Sequence, residues 1–159
     1  MKTAVLFSAL LLVHTVALTA PIQAIAAGSE TEPAAVARDP DYDAGKKAIE
    51  ATNWKLAIDH LSRAAARDSG NADIHNWLGY AYRKSGNLDA AFRSYNEALR
   101  LDPRHKGAHE YIGEAYLMAN NVAKAEEHLA QLDKICFFPC EEYRDLKKAV
   151  EAYRQRPAK

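Results

Sequence analysis

The sequence contains few of the residues that interrupt helices, with seven glycines and six prolines among its 159 residues. It also contains little sulfur, since it has only two cysteines and two methionines. Alanine is abundant, and β-branched residues are sparse beyond the first segment, a composition that favours helices. The sequence therefore predicts an all-α protein, and its length suits one domain with a continuous core.

The sequence has no excess charge of either sign, because 21 Lys and Arg residues balance 21 Asp and Glu residues. Without a basic excess there is no global field to attract nucleic acid or an anionic membrane, so we expect neither as a partner. The common catalytic signatures are also missing, including the phosphate-binding loop, H-E-x-x-H and G-x-S-x-G. We therefore expect a protein that is not an enzyme and that uses no cofactor and no metal.

The first segment has the features of an export signal. A positive start and an apolar run over residues 4–20 are followed by Pro21 and by a small-x-small triplet at residues 24–26. We expect residues 1–26 to be cleaved, so that the mature protein is exported, in a bacterium to the periplasm, without stable membrane insertion. The alternative is a retained membrane anchor. Residues 27–37 are small or polar and are expected to form a flexible segment.

One pattern recurs at a constant spacing without a gap. Its central copy contains Leu78, Gly79, Tyr82, Ala91, Tyr95, Ala98 and Pro103. The equivalent places are Ala44, Gly45, Ala48, Ala57, Leu61 and Ala64 before it, and Ile112, Gly113, Tyr116, Ala125, Leu129 and Leu132 after it. The copies cover residues 38–71, 72–105 and 106–139. Each holds two amphipathic stripes, which predicts a helix pair that must stack on its neighbours to bury its apolar face.

The period of about 34 residues and its L-G-x-x-Y, A-x-x-x-aromatic and Pro places resemble the tetratricopeptide repeat. The resemblance implies a right-handed α-solenoid of three helix pairs. One further period from Ile112 reaches Leu146, so we expect a capping helix over residues 140–154 and a polar tail over residues 155–159.

Glycine has two expected roles in these repeats. Gly86 can take the positive φ of a tight turn between two helices. The glycine of each L-G place should let the two helices of one pair approach closely, at Gly45, Gly79 and Gly113.

In this family the ligand lies on the concave face that the first helix of each repeat forms. The family's ligand-facing places, carried onto this sequence, give a peptide-binding groove of Tyr42, Lys46, Asn76, Tyr80, Arg83, Lys84, Glu110, Glu114, Leu117 and Met118, with Asp39, Ile49, Glu50, Asp73 and Gly107 at the remaining places. The resemblance implies a scaffold or assembly factor that binds an unidentified protein or peptide. Self-assembly into a homo-oligomer is an open alternative.

The charged residues of this groove match a known ligand-binding pattern of the family only in part. One subclass of the family grips a C-terminal carboxylate with a lysine and an asparagine, which Lys46 and Asn76 match. The third repeat has Glu110 and Glu114 where that subclass has basic residues. The charge along the groove changes from basic at Lys46, Arg83 and Lys84 to acidic at Glu110 and Glu114. We expect this gradient to orient a bound segment.

The two cysteines, Cys136 and Cys140, lie between the last repeat and the capping helix. Two cysteines in an exported chain usually pair, so we expect a structural disulfide that fixes the cap, with Phe137 and Phe138 packed nearby. The alternative is a metal- or thiol-handling accessory protein that uses this cysteine pair with nearby histidines.

The histidines divide into two groups. His75 and His109 are one period apart, where the family often has an aromatic residue between helices, and we expect them to fill that space. His60 and His128 lie on second helices and are expected to face solvent.

Overall fold

The structure, a computed structural model, describes residues 39–156. These residues contain no β-strand and form seven helices: α1 Pro40–Glu50, α2 Trp54–Arg67, α3 Ala72–Lys84, α4 Leu88–Leu101, α5 Lys106–Met118, α6 Val122–Ile135 and α7 Glu141–Arg154. The predicted signal peptide over residues 1–26, the predicted flexible segment over residues 27–37 and tail residues 157–159 lie outside the described residues.

The helices stack as three pairs and a closing helix. Consecutive helices pack against each other, and α1, α3, α5 and α7 also contact one another in order. This arrangement is an all-α solenoid, as the sequence predicts. None of the seven helices is both long enough and apolar enough to cross a membrane.

Polar side chains cap the starts of six of the seven helices, and α7 begins without a side-chain cap. Asparagine side chains at residues 53, 71, 87 and 121 accept hydrogen bonds from backbone N–H groups in the first turns of α2, α3, α4 and α6. Asp39 does the same for α1, and Pro40 at the first helical position has no N–H to satisfy. The Asp39 carboxylate also pairs with Arg67 of α2, and this hydrogen bond lowers its pKa to about 2. The cap thus joins the two helices of the first pair.

The turn inside each pair uses one left-handed residue at the same repeat position. Thr52, Gly86 and Asn120 are equivalent residues of successive repeats and have φ of 54°, 86° and 59°. The predicted positive φ at Gly86 is confirmed. Glycine adopts this conformation without strain and asparagine tolerates it, whereas a β-branched threonine does so at a cost.

The core runs along the stack as three connected clusters. Ala57 and Leu61 anchor the cluster between α1, α2 and α3, and Tyr95 and Ile112 anchor the next. Leu146 belongs to the last cluster, which joins α5, α6 and α7. Alanines at the contact points let helix axes approach closely, and the larger side chains fill the spaces between them.

The repeat glycines behave differently at the two ends of the chain. A Cβ atom on Gly45 would lie 2.6 Å from Leu61, and one on Gly79 would lie 2.6 Å from Tyr95, so both glycines contact the second helix of their own pair. At Gly113 the nearest side chain is instead Leu146 of α7. The expectation that all three glycines face their own pair is therefore wrong for Gly113, because the closing helix lies close to α5.

The cysteines form a disulfide between Cys136 and Cys140, whose Cα atoms are 5.8 Å apart. We expected the phenylalanines within this short loop to pack near the cap. That expectation is wrong, because Phe137 is 93% exposed and Phe138 is 76% exposed. The two rings contact each other edge to face. The disulfide ties the ends of this short loop together, and its two rings extend into solvent.

Candidate functional site

The ten groove residues predicted from the repeat frame all lie on α1, α3 and α5, and they line three cavities. The central cavity, about 520 Å³, is lined by Tyr80, Arg83, Lys84, Glu110, Tyr111, Glu114, Leu117, Met118, Ala149, Ala152 and Arg156. The acidic cavity, about 330 Å³, is lined by Asp73, Asn76, Trp77, His105, Gly107, Glu110, Tyr111, Glu141, Glu142 and Asp145. The N-terminal cavity, about 420 Å³, is lined by Tyr42, Asp43, Lys46, Lys47 and Glu50.

Aromatic rings form the wall between the central and acidic cavities. The rings of Tyr80 and Tyr111 lie 5.0 Å apart, and Trp77 lies 5.7 Å from Tyr80. Trp54 extends the cluster from the start of α2. The Lys46 ammonium lies 3.8 Å from the centre of the Trp77 ring, which is a cation–π contact. These rings offer the large, rigid surfaces that anchor protein interfaces.

Arg83 is buried beneath the central cavity, and its charge is already satisfied. Its Nη1 lies 2.7 Å from a Glu114 carboxylate oxygen, and its Nε donates to the Tyr95 hydroxyl at 3.3 Å. The expected change from basic Arg83 to acidic Glu114 along the groove is therefore wrong for this pair. The two charges neutralise each other, because α3 and α5 bring them into contact.

Glu110 lies between the central and acidic cavities and lines both. It is only 9% exposed, and none of the described residues donates a hydrogen bond to its carboxyl group. Burial raises its pKa to about 8, with a further contribution from the nearby carboxylates of Glu114, Asp145 and Glu142. A carboxyl group in this setting gains strongly from any cation brought beside it.

The carboxylate-grip residues lie in different cavities. Lys46 lines the N-terminal cavity and Asn76 the acidic cavity, while Glu110 contributes a carboxyl group to the acidic one. The Lys46 ammonium is also engaged by Trp77. The positions matching that subclass are thus present, but they do not converge on a shared positive pocket.

Several residues that line the cavities were missed by the sequence analysis. Tyr111 occupies the place of Trp77 in the next repeat, so the period itself could have indicated a recurrent aromatic there. Helix α7 also contributes Glu142, Asp145 and Ala149. One further period from the ligand-facing places leads to Glu141 and Ala152, which line cavities, and to Arg144 and Lys148, which line none of the three.

The histidines form a second polar cluster on the other side of α5. His109 is buried between helices as expected, and its Nε2 donates to the Pro103 carbonyl at 3.0 Å. Its Nδ1 lies 2.9 Å from Nδ1 of His128, whose ring also stacks on Tyr116. His128 therefore packs against α5, and the expectation that it faces solvent is wrong. His60 is similarly engaged, by Asp41.

No group of three or more His, Cys, Asp or Glu residues within residues 39–156 is arranged to hold a metal ion. The two sulfur atoms are bonded to each other.

Comparison with known proteins agrees with the repeat pattern. Two models of the tetratricopeptide repeat match this chain, one over residues 42–103 and the other over residues 82–150. Tetratricopeptide repeat protein 1 of Schizosaccharomyces pombe is 33% identical over 69 residues, which is 42% of this chain. The match spans only 7% of that protein's length.

Solved structures share the fold at low sequence identity. The translocator chaperone SycD of Yersinia enterocolitica has a TM-score of 0.66 and 17% identity, over 72% of this chain and 81% of that chain. The second repeat domain of human RPAP3, solved with the HSP70 peptide SGPTIEEVD, has a TM-score of 0.65 and 17% identity, over 73% and 93% of the two chains. The first repeat domain of Spaghetti (RPAP3), bound to the HSP90 peptide SRMEEVD, has a TM-score of 0.64 and 18% identity, over 72% and 91%.

Proposed function

The chain belongs to the tetratricopeptide repeat family, and from that premise we propose that it is a non-catalytic scaffold or assembly factor. Its partner is a segment of another protein, which lies across the central cavity. The observation that carries this proposal is the composition of that cavity, where Tyr80 and Tyr111 stand beside the exposed Met118 and Lys84. Aromatic and methionine side chains together with hydrogen-bonding groups suit a peptide chain.

The structural neighbours support peptide binding as the kind of function. SycD has been solved with a peptide of the translocator YopD, and the two RPAP3 domains with the peptides named above. Those two peptides end in the acidic sequence EEVD. The third repeat of this chain has no lysine or arginine at its groove places, where Glu110 and Glu114 stand, so it favours a ligand without such an acidic end.

We also propose that the protein works outside the cytoplasm, in the periplasm of a bacterium. The export features of residues 1–26 support this proposal. A disulfide between the only two cysteines fits an oxidising compartment. N-terminal sequencing of the protein recovered from a periplasmic extract tests the location, and a mature start near residue 27 is expected.

Affinity capture with a matched pair of variants tests the groove. The double variant Tyr80→Ala with Lys84→Glu changes the central cavity and retains both residues of the Arg83–Glu114 ion pair. Arg93→Glu is the control, because Arg93 is also exposed and lines none of the three cavities. We expect wild type and Arg93→Glu to recover the same proteins from envelope extracts and the groove variant to lose them.

Identical recovery by all three forms would place binding outside the groove. Light scattering of the same samples distinguishes a bound partner from a second copy of this chain, because a homo-oligomer would keep its size in the absence of any extract.

A further inference from the structure

The acidic cavity concentrates negative charge at one end of the groove. Five carboxyl groups line it, contributed by three helices: Asp73, Glu110, Glu141, Glu142 and Asp145. Neither lysine nor arginine is among the described residues that line it, and its basic group is the His105 imidazole, which lies 3.1 Å from Asp73. The cavity therefore has a locally unbalanced negative field in a protein whose total charges cancel.

Two polar side chains on the wall of this cavity are largely buried, and one of them, Asn76, has an oxygen that is shielded from solvent without a partner among the described residues. Asn76 is 3% exposed, and its side-chain oxygen accepts no hydrogen bond from any described residue. Glu110 is 9% exposed and receives no hydrogen-bond donor from the described residues either. Buried polar groups are almost always satisfied, because an unpaired one costs free energy. A shielded acceptor without a donor, beside the largely buried Glu110 carboxyl group, indicates a ligand that brings donors.

The shape of the cavity favours an organic cation over a metal ion. The carboxyl groups are spread along three helices, and within the described residues no three of them converge at metal-binding distance. A guanidinium group suits such a site, since it is planar and offers five N–H donors. Trp77 and Tyr111 also line the cavity, and Trp77 already accepts the Lys46 ammonium on its ring.

We infer that the acidic cavity binds an arginine side chain of the partner segment. The guanidinium would donate to Glu110 and to Asn76, with Glu142 and Asp145 of α7 completing the negative field. The inference rests on the proposed function and names its partner class, which is a protein segment with a basic residue. The central cavity shares Glu110 and Tyr111 with the acidic one, so a segment lying in the first can place one side chain in the second.

This arrangement also gives α7 a role besides closing the solenoid. Its outward carboxyl groups at Glu142 and Asp145 are part of the site, and Glu141 at its N-terminus is another. The disulfide at residues 136 and 140 lies immediately before this helix and restricts its docking on α5 and α6. The cysteine pair therefore acts on binding through the position of α7.

The first experiment uses a defined probe. A capped nonapeptide of alternating glycine and serine with one central arginine is titrated into the ¹⁵N-labelled protein at low salt and followed by NMR. The matched peptide carries citrulline, which has the same shape without the charge. We expect the arginine peptide to bind at least about fivefold more tightly and to shift amides at the start of α5 and in α7. Equal binding of both peptides would overturn the inference.

The second experiment removes charge from α7, where the side chains are not buried. The double variant Glu142→Gln with Asp145→Asn should weaken the arginine peptide roughly tenfold. Glu151→Gln is the matched control, because it removes a carboxylate from the same helix outside all three cavities. A titration with calcium chloride is included, and if calcium bound the cavity more tightly than the arginine peptide, the site would be a metal site and the inference wrong.

The captured partner separates this inference from the proposed function. If Tyr80→Ala with Lys84→Glu abolishes capture while Glu142→Gln with Asp145→Asn leaves it unchanged, the groove binds a protein but not through a basic residue. If neither variant affects capture, the proposed function itself fails. Thermal unfolding of each variant, with a midpoint near that of the wild type, shows that lost binding is not lost folding.

Discussion

His109 and His128 are joined by a hydrogen bond between their Nδ1 atoms, which lie 2.9 Å apart. Because His109 Nε2 faces the Pro103 carbonyl, that nitrogen carries the hydrogen and Nδ1 is left as an acceptor. Nδ1 of His128 must then be the donor. When both rings are neutral, each of these nitrogens has a partner of the right kind. When both rings are protonated, neither Nδ1 can accept, and the hydrogen bond is lost.

The stability of the protein should fall in mild acid because of this pair. Burial lowers the pKa of both rings, and that of His128 falls to about 4, helped by its neighbour His109. A lowered pKa gives stability that is present above the unfolded value near 6.5 and is lost as the pH falls toward 4. We expect a loss of roughly 1–2 kcal/mol, less than the full pKa shift implies, because His128 is partly screened by solvent.

Denaturant unfolding from pH 8 to pH 4, on wild type and on His128→Gln, measures this loss. The glutamine keeps a donor toward His109 but does not titrate, so its stability should depend less on pH over this range. An NMR titration of His128 with a midpoint near 6.5 would contradict the assignment.

Arg83 and Glu114 connect α3 to α5, and breaking their ion pair should be costly. We expect Arg83→Ala to lower the unfolding free energy by about 3 kcal/mol, since it also removes the donor to Tyr95 and leaves the partly buried Glu114 uncompensated. Glu114→Gln should cost less, because Gln can still accept a hydrogen bond. A double-mutant cycle completed with Arg83→Ala plus Glu114→Gln measures their coupling. Additive single effects would show that the contact contributes nothing.

The periodicity of the sequence determined most of what could be predicted about the fold. Gly79 and Leu78 recur at fixed spacing, so the helix pairs, the turn at Gly86 and the closing helix around Leu146 all follow from one register. The contact of Gly113 with Leu146 could not be predicted, because a period reports equivalent positions and not which neighbouring helix lies nearest to each of them.

The candidate site was predictable in its backbone positions but not in its chemistry. The repeat frame placed Tyr80, Glu110 and Met118 around cavities, since each period of the sequence returns to the same helix face. The repeat frame could not show that Arg83 forms an ion pair with Glu114. The position of a residue within its repeat does not identify the side chain that it contacts on a neighbouring helix. The charge of the groove depends on that pairing.

Thr52 has a left-handed backbone conformation. The equivalent residues of the next two repeats, Gly86 and Asn120, have the same conformation. Non-glycine residues lose roughly 1 kcal/mol in this region, and a β-branched residue loses more. Thr52→Gly should therefore raise the unfolding free energy by about 0.5–1 kcal/mol despite the added entropy of the unfolded chain. Asn120→Gly is the comparison, with a smaller gain expected, and chemical denaturation measures both. A loss of stability in Thr52→Gly would mean that its side chain makes a contact that matters more than φ.

The disulfide and the phenylalanines beside it should contribute very differently to stability. Replacing both Cys136 and Cys140 with serine should cost up to about 2 kcal/mol, the entropy of closing so short a loop. Phe137→Ser should change stability by less than about 0.5 kcal/mol, because the ring is already in water. Denaturant unfolding of the two variants distinguishes them. A large loss in Phe137→Ser would show that the ring packs in solution.

Glu110 should destabilise the ligand-free protein at high pH. Its pKa, raised to about 8 chiefly by burial, means that stability is greatest below the unfolded value near 4.5 and is lost as the pH rises through 8. Glu110→Gln removes this ionisation, so at pH 9 the variant should be more stable than wild type by roughly 2 kcal/mol, with little difference at pH 5. Unfolding curves at both pH values measure the change, with Glu151→Gln, an exposed carboxylate, as the control.

A wild type as stable at pH 9 as at pH 5 would mean that the carboxylate is solvated, and the acidic cavity would then lack its unpaired group. A variant that is more stable yet binds the arginine peptide less well would show that Glu110 is retained for binding at the expense of folding.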